Sequence, residues 1–258
     1  MHVVQGVDEL RPQLGPVFVV IGVFDGLHLG HAYLLEHLVS EAAARDARPT
    51  VITFDHHPDE VLMGKAPPLL LDPGERLERL EAAGVAVTVV QPFDEAVRQT
   101  PYDVFVERIR ARVALAGFLM TPDAAFGFER RGTPETLTAL GARAGFDVVV
   151  IPTFGLDGQL VRSSTIRDAV STGDLETAAR LLGRPVTLTG SIGGAVDGRS
   201  RLDFRLPVAL PPDGDYEGQV DGRPITLRIV GGDAYLLGGI SNRRVTVVLE
   251  RPERPLTA

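Results

Sequence analysis

Residues 21–31, IGVFDGLHLGH, combine two histidines with three glycines and are the part of the sequence best suited to chemistry. The apolar run Val17–Ile21 precedes them and an amphipathic segment follows, so the pattern predicts a strand, a tight turn and a helix. Residues three apart share one face of a helix, which places His28 and His31 together in its first turn. Free backbone N–H groups and the positive end of the helix dipole attract phosphate there, and glycines let a ligand approach the backbone. The pattern therefore predicts a phosphate site beside two imidazoles.

These residues resemble the HxGH signature of the nucleotidylyltransferase superfamily. In the fuller form GxFDGxHxGH they resemble the adenylyltransferase part of bacterial FAD synthetases, the bifunctional riboflavin kinase/FMN adenylyltransferases. The resemblance implies transfer of AMP from ATP to FMN, giving FAD and pyrophosphate, with Mg²⁺ accompanying ATP and no covalent intermediate. It also implies that His28 and His31 are catalytic. The residues that it places at the nucleotide are Gly22, Phe24, Gly26 and Gly30.

A second segment, residues 161–167 (VRSSTIR), resembles the ISSTxIR element of the same family. The resemblance implies that Ser163, Ser164 and Arg167 bind the β- and γ-phosphates of ATP. Hydroxyls and N–H groups at a helix start suit phosphate oxygens, and a guanidinium can hold two of them. Arg162 stands where the family has its first serine, so which side chains touch phosphate stays open. The continuation at 173–185, GDLETAARLLGRP, also resembles the family.

Two further stretches resemble elements that the family places at the flavin. Residues 53–58, TFDHHP, resemble TF(D/E)PHP with a histidine in place of the first proline. Residues 121–132, TPDAAFGFERRG, resemble GxDFxFGxxxxG without its first glycine. An isoalloxazine ring needs flat apolar or aromatic walls with a few polar anchors. The flavin-site residues that the resemblance implies are Phe54, His57, Asp123, Phe126 and Phe128.

Apolar strands alternate with helical patterns through the first two thirds of the chain. The predicted strands are 17–21, 49–54, 85–90, 118–120 and 148–151, and the predicted helices are 29–47, 75–83, 102–114, 134–144, 163–171 and 173–182. Such alternation predicts an α/β fold with a Rossmann-like, doubly wound parallel sheet of the nucleotidylyltransferase type. Ligands bind such sheets at the carboxyl ends of the strands, where His28 and His31 are expected. No GxGxxG follows the first strand, which disfavours a dinucleotide-dependent dehydrogenase.

The sequence changes character after Pro185. Short alternating runs at 186–190, 204–210, 216–220, 225–230, 234–237 and 245–249 predict a small antiparallel β-barrel-like domain. We therefore expect domains at 1–185 and 186–258. Residues 190–199 resemble the start of a riboflavin kinase barrel, but GRSRLDFRLPVAL at 198–210 stands where that family has GRxLGFPTAN. The tail thus resembles a degenerate, shortened kinase, and we expect no riboflavin kinase activity and retained adenylyl transfer in a chain ending near Pro185.

Composition narrows the functional classes further. The 258 residues are 44% hydrophobic, include no cysteine and carry a net charge of −8 with one lysine, Lys65. The acidic balance disfavours a nucleic-acid partner, and the N-terminus has no apolar leader, so we expect a cytoplasmic protein without a membrane partner. Although His56 or His57 could contribute, a zinc site would need a third ligand besides His28 and His31, and the chain has no cysteine to supply one. We therefore expect no metal-ligating residues.

Two alternatives to FMN adenylyl transfer stay open at this point. The acceptor could be another phosphate monoester, such as nicotinate mononucleotide or phosphopantetheine. The chain could instead be a flavin- or nucleotide-binding protein without turnover, since several secondary motifs depart from the family pattern.

Overall fold

The computed structural model describes residues 1–196, 199–237 and 244–249. The strands are β1 (His2–Gln5), β2 (Val17–Ile21), β3 (Arg48–Phe54), β4 (Val87–Gln91), β5 (Leu115–Met120), β6 (Asp147–Val150), β7 (Gly155–Leu156), β8 (Gln159–Leu160), β9 (Thr187–Val196), β10 (Arg199–Asp203), β11 (Gly214–Val220), β12 (Arg223–Val230), β13 (Asp233–Leu237) and β14 (Arg244–Leu249). The helices are α1 (Leu29–Ala43), α2 (Asp59–Met63), α3 (Pro73–Ala82), α4 (Glu95–Arg98), α5 (Tyr102–Arg110), α6 (Pro134–Ala144), α7 (Ser163–Ser171) and α8 (Leu175–Leu182). Short 3₁₀ turns occur at Val7–Glu9, Pro12–Leu14 and Phe128–Arg130.

The chain divides into two compact units, which are described separately. The first unit comprises Met1–Phe24, Gly30–Pro67 and Leu77–Gly155. The second comprises Asp25–Leu29, Pro68–Arg76 and the chain from Leu156 onward. Each unit is therefore assembled from separate stretches of sequence. The domain boundary expected between residues 185 and 186 stays a prediction.

The first unit is built on a six-stranded parallel sheet in the order β1-β4-β3-β2-β5-β6. Its inner strands are runs of buried Val, Ile and Phe, as expected where helices cover both faces of a sheet. From β2 the chain winds outward through β3 and β4, and from β5 it winds the other way to β6. The order therefore reverses between β2 and β5, and this reversal is where doubly wound sheets bind ligands.

One apolar layer fixes the central strands of this sheet. Side chains from β2, β4 and β5 meet side chains from α5 and α6 in a single cluster that includes Val17, Val19, Val87, Val89, Phe118, Phe105, Ile109 and Leu137. Burial of each such side chain contributes about 1.5–3 kcal/mol, so the carboxyl ends of these strands are held firmly.

The second unit contains a closed antiparallel barrel in the order β10-β13-β12-β11-β14-β9. Buried residues alternate with exposed ones along its strands, for example in β10 and β14. This alternation is what a filled barrel of short strands requires, since every second side chain points inward. The predicted α/β fold with a parallel sheet and a following antiparallel barrel is confirmed.

Several predicted elements are wrong in detail. Residues 204–210 form no strand apart from a single bridge at Val208, because Pro207 lacks a donor and Leu69 pairs with this stretch instead. The second barrel strand is β10, which the sequence analysis missed. Helix α1 ends at Ala43 rather than at 47, since Asp46 takes a left-handed conformation with φ 49°. Strand β1 and helices α2 and α4 were also missed. Within the described residues, no helix is both long and apolar enough to cross a membrane.

Candidate active site

The loop between β2 and α1 has an unusual backbone. Phe24 and Leu27 have positive φ angles of 53° and 41°, and Gly26 has a φ of 85°. Glycine adopts this conformation at no cost, whereas bulky side chains rarely do. For Phe24 and Leu27 this conformation costs on the order of 1–3 kcal/mol per residue, and it persists only where the surroundings impose it. The contacts around the loop must therefore supply that energy.

Asp25 is the centre of those contacts. Its side chain is 3% exposed, and its two carboxylate oxygens accept hydrogen bonds from different partners. Oδ1 accepts from the Leu70 backbone N–H at 2.9 Å, and Oδ2 accepts from Arg167 Nη2 at 3.1 Å. The Asp25 carbonyl accepts from Ser163 Oγ at 2.9 Å. Asp25 therefore shapes the loop, and its carboxylate is committed to structure.

Arg184 holds the next residue of the loop. Its Nη2 donates to the Gly26 carbonyl at 2.7 Å. A Cβ added at Gly26 would lie 3.1 Å from Leu70 Cδ1, so the Leu70 side chain also packs closely on the loop. These contacts leave little freedom to the backbone that leads into α1.

Arg167 lies in α7 with its side chain 15% exposed. While Nη2 is bound to Asp25, its buried Nε–H has no acceptor among the described residues. An unpaired buried donor costs about 1–3 kcal/mol, and such a group calls for a ligand or another explanation. Arg167 is thus oriented by Asp25 and retains a donor for an anion.

His28 immediately precedes α1 and is 5% exposed. Its burial, and to a lesser degree the positive charge of Arg184, lowers the pKa of His28 to about 4. The imidazole is therefore neutral at physiological pH, with one nitrogen able to donate a hydrogen bond and the other able to accept one.

The first unit places the remaining residues of the histidine motif. The Phe24 ring folds back over Gly22, where an added Cβ would lie 3.0 Å from Phe24 Cε2. The His31 ring, in the first turn of α1, lies 5.0 Å from the Phe24 ring between centroids. Val23 is tied to β3, because Thr53 Oγ1 donates to its carbonyl at 2.9 Å. The Phe24 ring therefore packs against both Gly22 and His31.

A cavity of about 560 Å³ lies within the first unit. It extends to the ends of β2, β3 and β5, where it is lined by Ile21–Val23, Phe54 and Met120. Apolar and aromatic side chains dominate its walls. Three of the predicted flavin-site residues besides Phe54 line it, namely His57, Phe126 and Phe128. Asp123 is not among its lining residues; its carboxylate accepts a hydrogen bond from Thr121 Oγ1 at 2.8 Å.

Several cavity residues were missed by the sequence analysis. Phe93 follows β4 and meets Phe54 edge to face, with ring centroids 5.2 Å apart. The other missed residues that line the cavity include Leu34, Leu62, Val97, Arg98, Thr100 and Arg130. A signal for Phe93 was present, because it lies two residues after β4, near the same edge of the sheet at which Phe54 ends β3. The rest come from helices and loops whose positions depend on the fold.

No group of three or more His, Asp or Glu side chains suited to a metal ion occurs in the part of the chain that the structure describes. His57 Nδ1 accepts the backbone N–H of Asp59 at 3.2 Å, and His56 Nδ1 lies 3.0 Å from Asp55 Oδ1.

The FAD synthetase family model matches residues 11–165 of the chain, which is more than half of it. The chain belongs to the FAD synthetase family. The matched region includes the histidine loop and the whole of the cavity, and it ends two residues before Arg167.

Curated relatives agree with this FAD synthetase assignment. The bifunctional riboflavin kinase/FMN adenylyltransferase of Haemophilus influenzae is 34% identical over 194 residues, covering 74% of this chain and 63% of that protein. The protein of the same name from Bacillus subtilis is 28% identical over 271 residues, covering 99% of this chain and 81% of the relative. The chain spans less than two thirds of the length of the H. influenzae relative.

A solved structure shows the same fold. The crystal structure of a macrolide-efflux protein from Streptococcus pneumoniae superposes with a TM-score of 0.77 at 19% identity, covering all of this chain and 91% of that one. At this identity the likeness extends to the fold only. The family recognised from the sequence and its two-part architecture are both confirmed.

The predicted site residues of this FAD synthetase family member fall into two groups. The second unit contains Gly26, His28, Ser163, Ser164 and Arg167, and of these Ser163 and Arg167 both hydrogen-bond to Asp25. The first unit contains Gly22, Phe24, Gly30, His31 and the flavin-site candidates. Ser164 is exposed on α7, and the Ser163 hydroxyl is bound to the protein backbone.

Proposed function

We propose that this chain transfers AMP from ATP to FMN, giving FAD and pyrophosphate. The observation that carries the proposal is the aromatic cavity of about 560 Å³ at the carboxyl ends of β2, β3 and β5, in a chain of this family. The strained loop that leads to His28 starts at the same strand end, since it follows β2 directly.

The cavity suits a flavin ring system in size and in chemistry. Pockets of about 300–1,000 Å³ typically hold a ligand of this size. Phe54, Phe93 and Phe126 supply flat apolar walls, which a planar tricyclic ring can contact over a large area. His57 and Thr100 supply polar groups that can orient the ring edges.

The reaction needs little covalent chemistry from the protein. A phosphate oxygen of FMN attacks the α-phosphorus of ATP in line, a new P–O bond forms, and the bond to the bridging oxygen of pyrophosphate breaks. The FMN phosphate is already ionised, so it needs no strong general base, and no covalent intermediate with the enzyme is required. Catalysis then rests on positioning and on stabilising charge at the phosphate oxygens.

We assign the charge stabilisation to the histidine motif. His28 and His31 donate hydrogen bonds to the α-phosphate, and a neutral His28 can do so with one of its nitrogens. Gly22, Phe24, Gly26 and Gly30 present backbone to the nucleotide. Mg²⁺ enters as part of the MgATP substrate, since the described residues offer no cluster of carboxylates for a resident ion.

We assign the departing pyrophosphate to α7. Arg167 contributes its Nε–H, and the first N–H groups of the nine-residue helix contribute the positive end of its dipole. Ser164 is exposed and can donate its hydroxyl, whereas the Ser163 hydroxyl is bound to the Asp25 carbonyl. Ser163 therefore supports the site through the loop and through its backbone N–H.

We also propose that the barrel does not phosphorylate riboflavin. The carboxylates of Asp203 and Asp233 both pair with Arg201, at 3.1 and 2.9 Å, and this reduces their capacity to hold Mg²⁺. Arg205, Leu206, Pro207 and Val208 stand where the kinase motif has its Thr and Asn, and none of these side chains is a usual Mg²⁺ ligand.

One incubation tests both proposals. The protein is mixed with MgATP and either FMN or riboflavin, and the products are separated by chromatography. We expect FAD and pyrophosphate from FMN and no FMN from riboflavin. Nicotinate mononucleotide and phosphopantetheine serve as competing acceptors. Turnover of one of these but not of FMN would show that the acceptor is that compound and not FMN. Binding of FMN without turnover would show that the chain is a flavin-binding protein and not an enzyme for this reaction.

A further inference from the structure

The barrel is attached to a segment that lies far from it in the sequence. We call this segment, Pro68–Arg76, the strap. The Leu69 N–H donates to the Pro207 carbonyl at 2.8 Å, and the Leu69 carbonyl accepts from the Ala209 N–H at 2.8 Å. These two bonds form a short parallel bridge between the strap and the stretch after β10.

Two charged residues of the strap make further contacts with the barrel. Asp72 Oδ1 accepts a hydrogen bond from Arg244 Nη2 on β14 at 2.6 Å. The buried carboxylate of Glu75 accepts from Thr187 and Thr189 on β9, at 3.2 and 2.7 Å. The strap is therefore fixed to the barrel at its start, its middle and its end.

The residue next to Leu69 carries this attachment to the histidine loop. The Leu70 N–H donates to Asp25 Oδ1, and the Leu70 side chain packs against Gly26. Asp25 is the same carboxylate that orients Arg167. One continuous series of contacts thus runs from residues 207–209 through Leu69 and Leu70 to Asp25.

The loop depends on such contacts because its conformation is unfavourable in isolation. Phe24 and Leu27 both have positive φ angles on either side of Asp25. A loop of this kind relaxes when its anchors are lost, and His28 follows directly after it. Relaxation would move the imidazole and would release the Arg167 side chain from Asp25.

We propose that the barrel is a positioning element for adenylyl transfer, acting through the strap and Asp25 on the loop that carries His28. The inference rests on the proposed function for its kinetic consequence, but its structural part can be measured without any substrate. It gives the barrel a role that needs none of the kinase residues. Contrary to the expectation from the sequence, it predicts that a chain ending near Pro185 loses activity.

The first test removes one hydrogen bond from the bridge in the full-length chain. Ala209→Pro eliminates the backbone N–H that donates to the Leu69 carbonyl. Leu210→Pro is the matched control, because the Leu210 N–H has no hydrogen-bond acceptor among the described residues. Hydrogen–deuterium exchange followed by mass spectrometry reports on peptides covering residues 22–31 and 66–76. We expect faster exchange in both peptides for Ala209→Pro and wild-type exchange for Leu210→Pro.

The kinetic readout separates positioning from general damage. A displaced catalytic group can cost about 10- to 100-fold in rate, so we expect Ala209→Pro to lower kcat by that range. The affinity for FMN, measured by flavin fluorescence, should stay at the wild-type value, because the cavity lies within the first unit. A merely unfolded variant would lose both.

A milder pair of variants covers the case in which Ala209→Pro does not fold. Arg244→Ala removes an exposed side chain that pairs with Asp72, and Arg228→Ala removes a half-buried side chain that pairs with Asp215 on the neighbouring barrel strand. We expect Arg244→Ala to raise exchange at residues 22–31 and to lower kcat by about two- to fivefold, a range that fits a partly exposed ion pair. Arg228→Ala should change neither.

The outcomes distinguish this inference from the proposed function. Unchanged exchange at residues 22–31 and unchanged kcat in both folded test variants would overturn the positioning role. If the wild type makes no FAD but the test variants still show faster exchange than the wild type at residues 22–31, the proposed function is overturned and the structural link is supported.

Discussion

Protonation of His28 links the stability of this protein to pH in a way that can be calculated. Burial and the charge of Arg184 lower its pKa to about 4, against an ordinary value of 6.5. Between these two values the unfolded chain binds the proton and the folded chain does not. The free energy of unfolding therefore falls as the pH falls through this window, and the contribution of His28 is complete above pH 6.5.

The expected size follows from the two pKa values. At about 1.4 kcal/mol per pKa unit, the full loss amounts to about 3 kcal/mol once the pH is below 4. At pH 5 the loss is about 2 kcal/mol, because the unfolded imidazole is then almost fully protonated and the folded one is still mostly neutral. At pH 7.5 it is zero.

His28→Gln isolates this contribution, because every other titrating group is retained. Urea unfolding of wild type and variant at pH 7.5 and 5 gives the difference in their free energies of unfolding. On going from pH 7.5 to pH 5, we expect the wild type to lose about 2 kcal/mol more of its free energy of unfolding than His28→Gln does. His2→Gln, at an exposed position, controls for the loss of an imidazole. A difference that does not depend on pH, or an NMR titration of the His28 ring near 6.5, would refute the reasoning.

Three further predictions concern the proposed reaction. His31→Ala should lower turnover by about 10²–10³-fold, as loss of one preorganised donor does, with FMN affinity little changed; near-wild-type turnover would exclude the assigned role. Arg167→Lys keeps the charge but loses the planar contact with Asp25, so it should raise the KM for ATP selectively in steady-state assays; an equal effect on FMN would place the triphosphate elsewhere. Phe54→Ala removes one aromatic wall of the cavity and should weaken FMN binding about tenfold by fluorescence titration, whereas unchanged affinity would move the flavin out of this cavity.

The regular elements that the sequence predicted well are those with strong apolar periodicity. Strand β2, the start of α1, and helices α7 and α8 lie where their patterns indicated. Strand β10 was invisible to the same reasoning, because the residues of RSRLD that face inward are only Ser200 and Leu202. The run at 204–210 looked like a strand by its apolar residues, but proline and the bridge to Leu69 gave it a different partner.

The motifs of the candidate site could be predicted from the sequence, but the hydrogen bonds that orient its side chains could not. Phe54, His57, Phe126 and Phe128 were identified from short sequence strings and do line one cavity. Asp123 belongs to the same string, and its carboxylate turns toward Thr121. The resemblance describes which residue types recur, but the direction of a loop side chain depends on hydrogen bonds within that loop.

The hydrogen bonds of Asp25 show most clearly what local sequence omits. Leu70 lies 45 residues away and contributes its backbone N–H, so no characteristic residue type marks that partner position. Ser163 lies 138 residues away and donates its hydroxyl to the Asp25 backbone carbonyl, so a serine at 163 does not by itself indicate its partner. The intrinsic preferences of Phe24 and Leu27 oppose the conformation that these contacts impose. Tertiary contacts therefore decide the shape of this loop against local preference. A chain can keep the whole GVFDGLHLGH string and still lose the geometry, if the residues that hold Leu70 against Asp25 are changed.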